Sequence, residues 1–184
     1  VQGMNEPFFY ESDIPVVIYG VTMISTTWNK DEAYKTTEKL RKENKDAILI
    51  AFVHWGDEYF SHQGDAQKEF AHTLIDKGVD VVVGSHPHVV QGIELYKGSP
   101  IFYSLGNFVF DQYFSKEVQR GYMLSLSTQE DFLVYGITPI VSSHSQPSIA
   151  SEKERKEILN VIAKSSDSSL QKSIFEGGVI VPFR

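Results

Sequence analysis

Three histidines follow two apolar segments of the chain, and their spacing is typical of a metal site. His86 and His88 lie one residue apart in Gly84-Ser85-His86-Pro87-His88, and His54 directly follows the apolar segment 47–53. Neutral imidazole is the most common metal ligand among side chains near pH 7. The residue types therefore indicate a site for divalent ions such as Mn, Fe or Zn.

The segments that precede these histidines are predicted to be parallel strands. Segments 47–53 and 79–83 are largely apolar, as in strands that are covered on both faces. Residues 64–77 between them carry apolar side chains at helical spacing, and Gly78 is placed to end the helix. A strand–helix–strand crossover makes its strands parallel. Both strands then end at the carboxyl edge of the sheet, where ligands bind in open α/β folds.

Composition limits the class of protein. The 184 residues, 41% of them apolar, can bury one ordinary core. The chain has 17 basic and 24 acidic residues, and its net charge of −7 argues against a broad nucleic-acid-binding surface. Cysteine is absent, which excludes disulfides, thiolate ligands and a cysteine nucleophile. A metal site must therefore use His, Asp, Glu, Asn or water.

The rest of the sequence alternates between predicted strands and helices. Helices are expected over 31–44 and from Ser151, where Ser151-Glu152-Lys153-Glu154 matches a capping box, and a loop or linker is expected over 142–150. A hairpin around residues 97–99 returns Asn107 to the histidine edge. Further strands are expected over 15–22, 93–96, 100–105, 121–127, 132–141 and 177–183.

Three motifs together resemble the CapA-type proteins of poly-γ-glutamate capsule biosynthesis. They are His54-Trp55-Gly56-Asp57-Glu58-Tyr59, Gly84-Ser85-His86-Pro87-His88-Val89-Val90-Gln91 and Tyr103-Ser104-Leu105-Gly106-Asn107-Phe108-Val109-Phe110-Asp111, in family order. That family is similar to the calcineurin-like metallophosphoesterase superfamily. The resemblance implies an α/β sandwich with mixed sheets flanked by helices, of which this chain is expected to be the C-terminal part.

The resemblance also implies a role for each histidine. His54 and His86 match ligands of the second metal ion of the superfamily, and His88 matches a ligand of the first. His54 and His88 are the predicted catalytic residues, since two cations activate a bridging water and a neutral histidine near the leaving group can act as an acid. Two divalent ions, Mn, Fe or Zn, are expected in the complete domain.

The superfamily takes its other ligands from motifs that precede this part of the domain. No histidine stands before His54 in this chain. The N-terminal half of the same domain is therefore the expected partner that completes the site. We expect residues 1–145 to form the C-terminal half of the domain, with a helix and tail over 146–184 that pack on it.

Glu58, Asn107 and Arg120 are the predicted substrate-binding residues. The alternative for Glu58, as for Asp57, is a solvated loop acid, and the alternative for Asn107 is a residue of a turn. Arg120 is a candidate ligand for an anion because guanidinium matches carboxylate and phosphate geometry, the alternative being a surface residue. Among the other candidates Trp55 is expected to pack in the core, Asp111 has no assigned role, His62 is a loop residue near the site, and His72 and His144 are expected to face solvent.

The resemblance implies a role in poly-γ-glutamate capsule biosynthesis or export, with a metal-dependent hydrolase or transferase site. The polymer, or another anionic substrate, and a membrane capsule-synthesis complex are the expected partners, and no nucleic acid is expected. Two alternatives are a non-catalytic polymer-binding scaffold and a phosphoesterase of small phosphate esters. By resemblance alone, the protein is expected at the extracellular face of the cell membrane.

Overall fold

The computed structural model describes residues 6–183, and these form two β-sheets with helices. The strands are β1 Phe8–Tyr10, β2 Val16–Thr22, β3 Ile48–His54, β4 Val81–Ser85, β5 Ile93–Tyr96, β6 Ser99–Phe102, β7 Arg120–Gln129, β8 Phe132–Ser143, β9 Gln146–Ile149 and β10 Gly178–Pro182. The helices are α1 Lys30–Glu43, α2 Asp65–Asp76, α3 Glu152–Lys164 and α4 Gln171–Glu176. The prediction of an α/β fold with mixed sheets flanked by helices is confirmed.

The first sheet has a parallel centre and antiparallel edges. Its strand order is β1-β2-β3-β4-β6-β5, and β2, β3, β4 and β6 run parallel to one another. In the register of these strands, Thr22 lies opposite His54, and His54 lies opposite Ser85. The predicted crossover through α2 is therefore confirmed, and it delivers the chain segments that carry the histidines to one edge of the sheet.

Both faces of the first sheet are covered, which explains the uninterrupted apolar segments of its central strands. Successive side chains of a strand point to opposite faces. In β3, Leu49, Ala51 and Val53 pack in a core with α1 and α2. Ile48 packs on the other face, in a core with the second sheet and α3. The second sheet has the order β10-β8-β7, with β9 paired to β8.

Helices α1 and α3 begin after residues whose side chains accept a hydrogen bond from the first turn. The side chain of Asn29 accepts a hydrogen bond from the backbone N–H of Glu32 at 3.1 Å before α1. Ser151 and Glu154 form the predicted capping box at the start of α3. Gly78, with a φ of 105°, follows α2 in the left-handed region that favours glycine. Among residues 6–183, no helix combines the length and apolar content needed to cross a membrane.

The prediction of a loop or linker over 142–150 is wrong in part, because β9 lies within it. β8 and β9 form an antiparallel hairpin, and Ser143 pairs with Gln146 at its end. The two turn residues, His144 and Ser145, have φ values of 51° and 62°. Two positive φ values suit the tight turn of a hairpin but are usually signalled by Asn or Gly. The Ser-rich and Pro-containing sequence therefore concealed the strand.

Candidate metal centre

The three predicted metal ligands lie together at the carboxyl edge of the first sheet. The ring centroids of His54 and His86 are 4.6 Å apart, and those of His86 and His88 are 5.8 Å apart. His54 is the last residue of β3, while the other two belong to the turn that follows β4. Parallel pairing of these strands thus brings together residues that are far apart in sequence.

The turn after β4 holds its histidines in an unusual backbone conformation. The φ values are 100° at His86 and 62° at His88. A positive φ is uncommon in residues other than glycine, and such strain is retained chiefly at functional sites. Two backbone hydrogen bonds from the neighbouring loop support the turn, Trp55 N–H to Ser85 O at 3.1 Å and Tyr59 N–H to Pro87 O at 2.8 Å. The loop after β3 therefore fixes the turn after β4.

The carboxylate of Glu58 lies close to the rings of His86 and His88. Glu58, His86 and His88 each offer one ligand atom, and these atoms all lie within 4.8 Å of one another. Nε2 of His88 is 3.7 Å from Oε1 of Glu58. Two ligand atoms that bind one tetrahedral ion at about 2.1 Å each are about 3.4 Å apart. With a small closure, two imidazole nitrogens and one carboxylate oxygen could hold Zn, Mn or Fe.

Asn107 determines which nitrogen of His88 carries the proton. Its Nδ2 donates to the backbone oxygen of Val118 at 2.9 Å, which places its Oδ1 on the opposite side of the amide. That Oδ1 lies 2.9 Å from Nδ1 of His88. Because a carbonyl oxygen only accepts, Nδ1 must donate to it. In the neutral ring, Nε2 is then the atom with the lone pair, and it faces Glu58.

Burial affects the protonation of the other two histidines. Desolvation lowers the pKa of His54, with smaller contributions from the neighbouring His86 and His88. Desolvation is also the main cause that lowers the pKa of His86. Removal of a cation from water is costly, so both rings are held in the neutral form that binds metal ions. Nδ1 of His54 also lies 3.4 Å from the hydroxyl oxygen of Thr22.

A buried amide network anchors the loop that carries Glu58. Gln91 is fully buried, and its Nε2 donates to the backbone oxygens of Phe60 at 2.8 Å and His62 at 3.2 Å. Nε2 of Gln67 donates to Oε1 of Gln91 at 3.1 Å. Sequence reasoning missed this function of both glutamines. The sequence signal for Gln67 was its position in the first turn of α2, where its Oε1 accepts from Gly64 N–H at 2.9 Å.

Aromatic side chains flank His88. The ring of Tyr59 stacks on it with centroids 5.9 Å apart, and the ring of Phe110 lies 4.7 Å from it. Both aromatic rings are partly exposed, as are other apolar side chains of the same loops. These are Phe60, Phe108, Val109, Tyr113 and Phe114. The candidate metal centre is therefore a cluster of polar side chains with exposed apolar side chains around it.

The remaining candidates are placed as follows. The guanidinium of Arg120 pairs with the carboxylate of Glu157 in α3. Trp55 is fully buried as predicted, and Asp57 and Asp111 are exposed. His62 is exposed, with its Nδ1 3.1 Å from the hydroxyl of Ser61, and His144 is exposed as predicted. The roles of Glu58, Asn107 and Arg120 in substrate binding stay predictions.

The prediction that His72 faces solvent is wrong. Its side chain is half-buried, and its Nε2 lies 2.5 Å from Oε1 of Glu94 in β5. The imidazole also stacks on the ring of Tyr96, with centroids 3.8 Å apart. Both partners lie more than 20 residues away along the chain, so the helical pattern of α2 alone did not reveal them. This histidine belongs to the contact between α2 and the β5–β6 hairpin.

Comparison with known proteins gives consistent matches. Residues 12–112 match the family model described as "Bacterial capsule synthesis protein PGA_cap". The chain is 49% identical over 71 residues to the PGA biosynthesis protein CapA of Bacillus subtilis (strain 168), which covers 39% of this chain and 18% of that protein. It is 43% identical over 91 residues to the capsule biosynthesis protein CapA of Bacillus anthracis, which covers 48% and 22%. The chain thus spans only about a fifth of the length of these curated relatives.

Proposed function

Because the chain belongs to the bacterial capsule synthesis protein family PGA_cap, we propose that it acts in poly-γ-glutamate capsule synthesis through a metal-dependent site. The names of the two Bacillus relatives support the choice of polymer. The observation that carries the proposal is the convergence of His54, His86 and His88 at one edge of the first sheet. The reaction class is hydrolysis or transfer at the amide backbone of the polymer.

The histidines hold divalent ions and position protons in this proposal. Bound ions would supply Lewis acidity and lower the pKa of a bound water. His86 and His88 contribute ring nitrogens, and Asn107 fixes the orientation of His88. His54, the last residue of β3, is the proposed acid–base residue near the leaving group. The rings of Tyr59 and Phe110 exclude water from the sides of His88.

The charge of the chain makes the ions important for binding as well. A chain with a net charge of −7 repels a polyanion unless cations neutralise it locally. Arg120 is the proposed side-chain contact with the polymer, and its guanidinium pairs with the carboxylate of Glu157. A substrate carboxylate would therefore have to displace Glu157. Glu58 would repel the polymer unless it is itself neutralised.

The remaining ligands of a two-metal site would come from outside this chain. We propose that the N-terminal half of the same domain provides them, since a two-metal site needs a bridging ligand and more donors than three histidines supply. The complete protein would work with a capsule-synthesis complex at the extracellular face of the membrane. These parts of the proposal follow from the family and from the greater length of the relatives.

Two cleavage assays and a measurement of capsule output test the proposal. Cleavage of γ-glutamyl amide oligomers and of a phosphate ester would be measured with Mn²⁺ or Zn²⁺, and capsule output would be measured in the host strain. His88→Ala should abolish amide cleavage and reduce capsule output, while His144→Ala, at the exposed β8–β9 turn, should change neither. Capsule output that is insensitive to His88→Ala would favour a non-catalytic scaffold. Cleavage of the phosphate ester alone would favour a phosphoesterase.

A further inference from the structure

The geometry points to Glu58 as a metal ligand that shares a single ion with His86 and His88. The resemblance instead divides these histidines between two ions and assigns no role to Glu58, which is a predicted substrate-binding residue. The three ligand atoms lie within 4.8 Å of one another, and each comes from this chain. The inference deepens the proposed function, because it assigns ligands within the same site, but it concerns binding and does not require catalysis.

The orientation of His88 is the first observation behind this assignment. Nδ1 of His88 lies 2.9 Å from Oδ1 of Asn107, so Nε2 is the ring nitrogen that faces Oε1 of Glu58. Their separation of 3.7 Å is longer than the 2.7–3.2 Å of an N–H···O hydrogen bond. It is close to the spacing of about 3.4 Å between two ligand atoms on one tetrahedral ion, and a small movement of the exposed Glu58 side chain would close the difference.

The position of Glu58 is built into the fold. Backbone hydrogen bonds from Trp55 and Tyr59 tie the loop to the histidine turn on either side of Glu58. Beyond it, the buried amide of Gln91 holds the backbone oxygens of Phe60 and His62. An exposed glutamate of a solvated loop needs no such anchors. The carboxylate therefore faces His88 because the backbone on both sides is held in place.

The ligand set indicates the class of ion and the openness of the site. Two histidines and one glutamate form a ligand set that catalytic zinc sites use, with a fourth position left for water or substrate. The side chain of Glu58 is 47% exposed, and that of His88 is 15% exposed, so the cluster lies at the surface with one side open. Zn²⁺, or Co²⁺ as its spectroscopic substitute, is the ion to use as a probe.

Metal titration of the 184-residue chain tests this assignment. Zn²⁺ binding would be measured by calorimetry, and Co²⁺ coordination by its visible absorption. We expect one ion per chain, and we expect Glu58→Gln to weaken binding at least about tenfold, as loss of a ligand does. The matched control is Asp57→Asn, which removes the neighbouring exposed carboxylate and should leave binding unchanged. Circular dichroism of each variant without metal verifies the fold.

The variants distinguish this inference from the proposed function. Equal binding by Glu58→Gln and the unsubstituted chain would overturn it, and so would a dependence on His54 in place of Glu58. Failure of the chain to bind Zn²⁺ or Co²⁺ would also overturn it and leave Glu58 and His88 as an ordinary ion pair. Glu58-dependent binding without any cleavage of γ-glutamyl amides would support the inference while the proposed catalysis fails.

Discussion

The indole Nε1 of Trp55 donates a hydrogen bond to the backbone oxygen of Tyr103 at 2.9 Å, and the two rings stack with centroids 5.7 Å apart. Gly84 lies directly against this bond. A Cβ atom at Gly84 would be 2.0 Å from the oxygen of Tyr103 and 2.4 Å from the indole nitrogen. The residue that opens the histidine motif is therefore glycine because a buried tryptophan occupies the adjacent space.

We expect Gly84→Ala to destabilise the protein by about 2–3 kcal/mol or more, because the added methyl group forces apart two buried groups. Urea unfolding would measure the change in free energy. The control is Gly64→Ala, where the nearest atom to the added Cβ is 3.9 Å away, and a loss within about 1 kcal/mol is expected there. Equal losses at the two glycines would contradict the steric explanation.

Asn107→Leu should remove the hydrogen bond that orients the ring of His88. The variant removes the acceptor for Nδ1–H, so the neutral ring is expected to become a mixture of tautomers, which ¹⁵N NMR of labelled histidine detects. We expect Zn²⁺ affinity to fall about 10- to 100-fold, the usual effect of losing an outer hydrogen bond to a metal ligand. Gln112→Ala is the control, since it removes a neighbour of the Asn107 amide but no partner of His88. An unchanged tautomer in Asn107→Leu would refute the assignment.

Gln91→Leu is expected to loosen the loop that carries Glu58. The substitution leaves the backbone oxygens of Phe60 and His62 without their donor and should cost about 1–3 kcal/mol. Hydrogen exchange of the amides between residues 58 and 63 should become faster. Gln63→Leu serves for comparison because the Gln63 amide makes a single long bond of 3.5 Å to Ser165. Similar exchange rates in both variants would argue against the anchoring role.

Ser151→Ala should weaken the start of α3 by about 1 kcal/mol at neutral pH, the usual effect of losing an N-cap. Hydrogen bonds from the side chain and backbone of Ser151 lower the pKa of Glu154, so the folded state favours its charged form. That contribution is present above the usual glutamate pKa of 4.5 and is lost as the pH falls through the lower value of the folded state. The effect of the substitution should therefore shrink below pH 4.5. Ser127→Ala, on an exposed part of β7, should show no such pH dependence.

The sequence was sufficient to predict the histidine edge because the necessary signals were local. Two apolar segments with a helical pattern between them determine parallel strands, and parallel strands determine where His54 and His86 lie. The approach of Glu58 to His88 was not predictable in the same way. It depends on a bond from Tyr59 to Pro87 and on a φ of 68° at Tyr59, which no local pattern specifies.

The sequence pattern also failed to predict which polar residues are buried. A hydrophobic pattern assigns glutamine to the surface, yet Gln67 and Gln91 are buried because their amides bind each other and the loop backbone. The partners that stabilise such residues come from distant segments, so only the tertiary structure identifies them.

The hairpin between β5 and β6 turns at Lys97 and Gly98, at the end of the sheet opposite the histidines. A Cβ atom at Gly98 would meet open space, and the chain contains no cysteine. A cysteine introduced at Lys97, whose side chain is exposed, would be the single thiol of the molecule and could carry a fluorescent dye. Surface immobilisation through this tip would leave the ion-binding edge directed towards the solution.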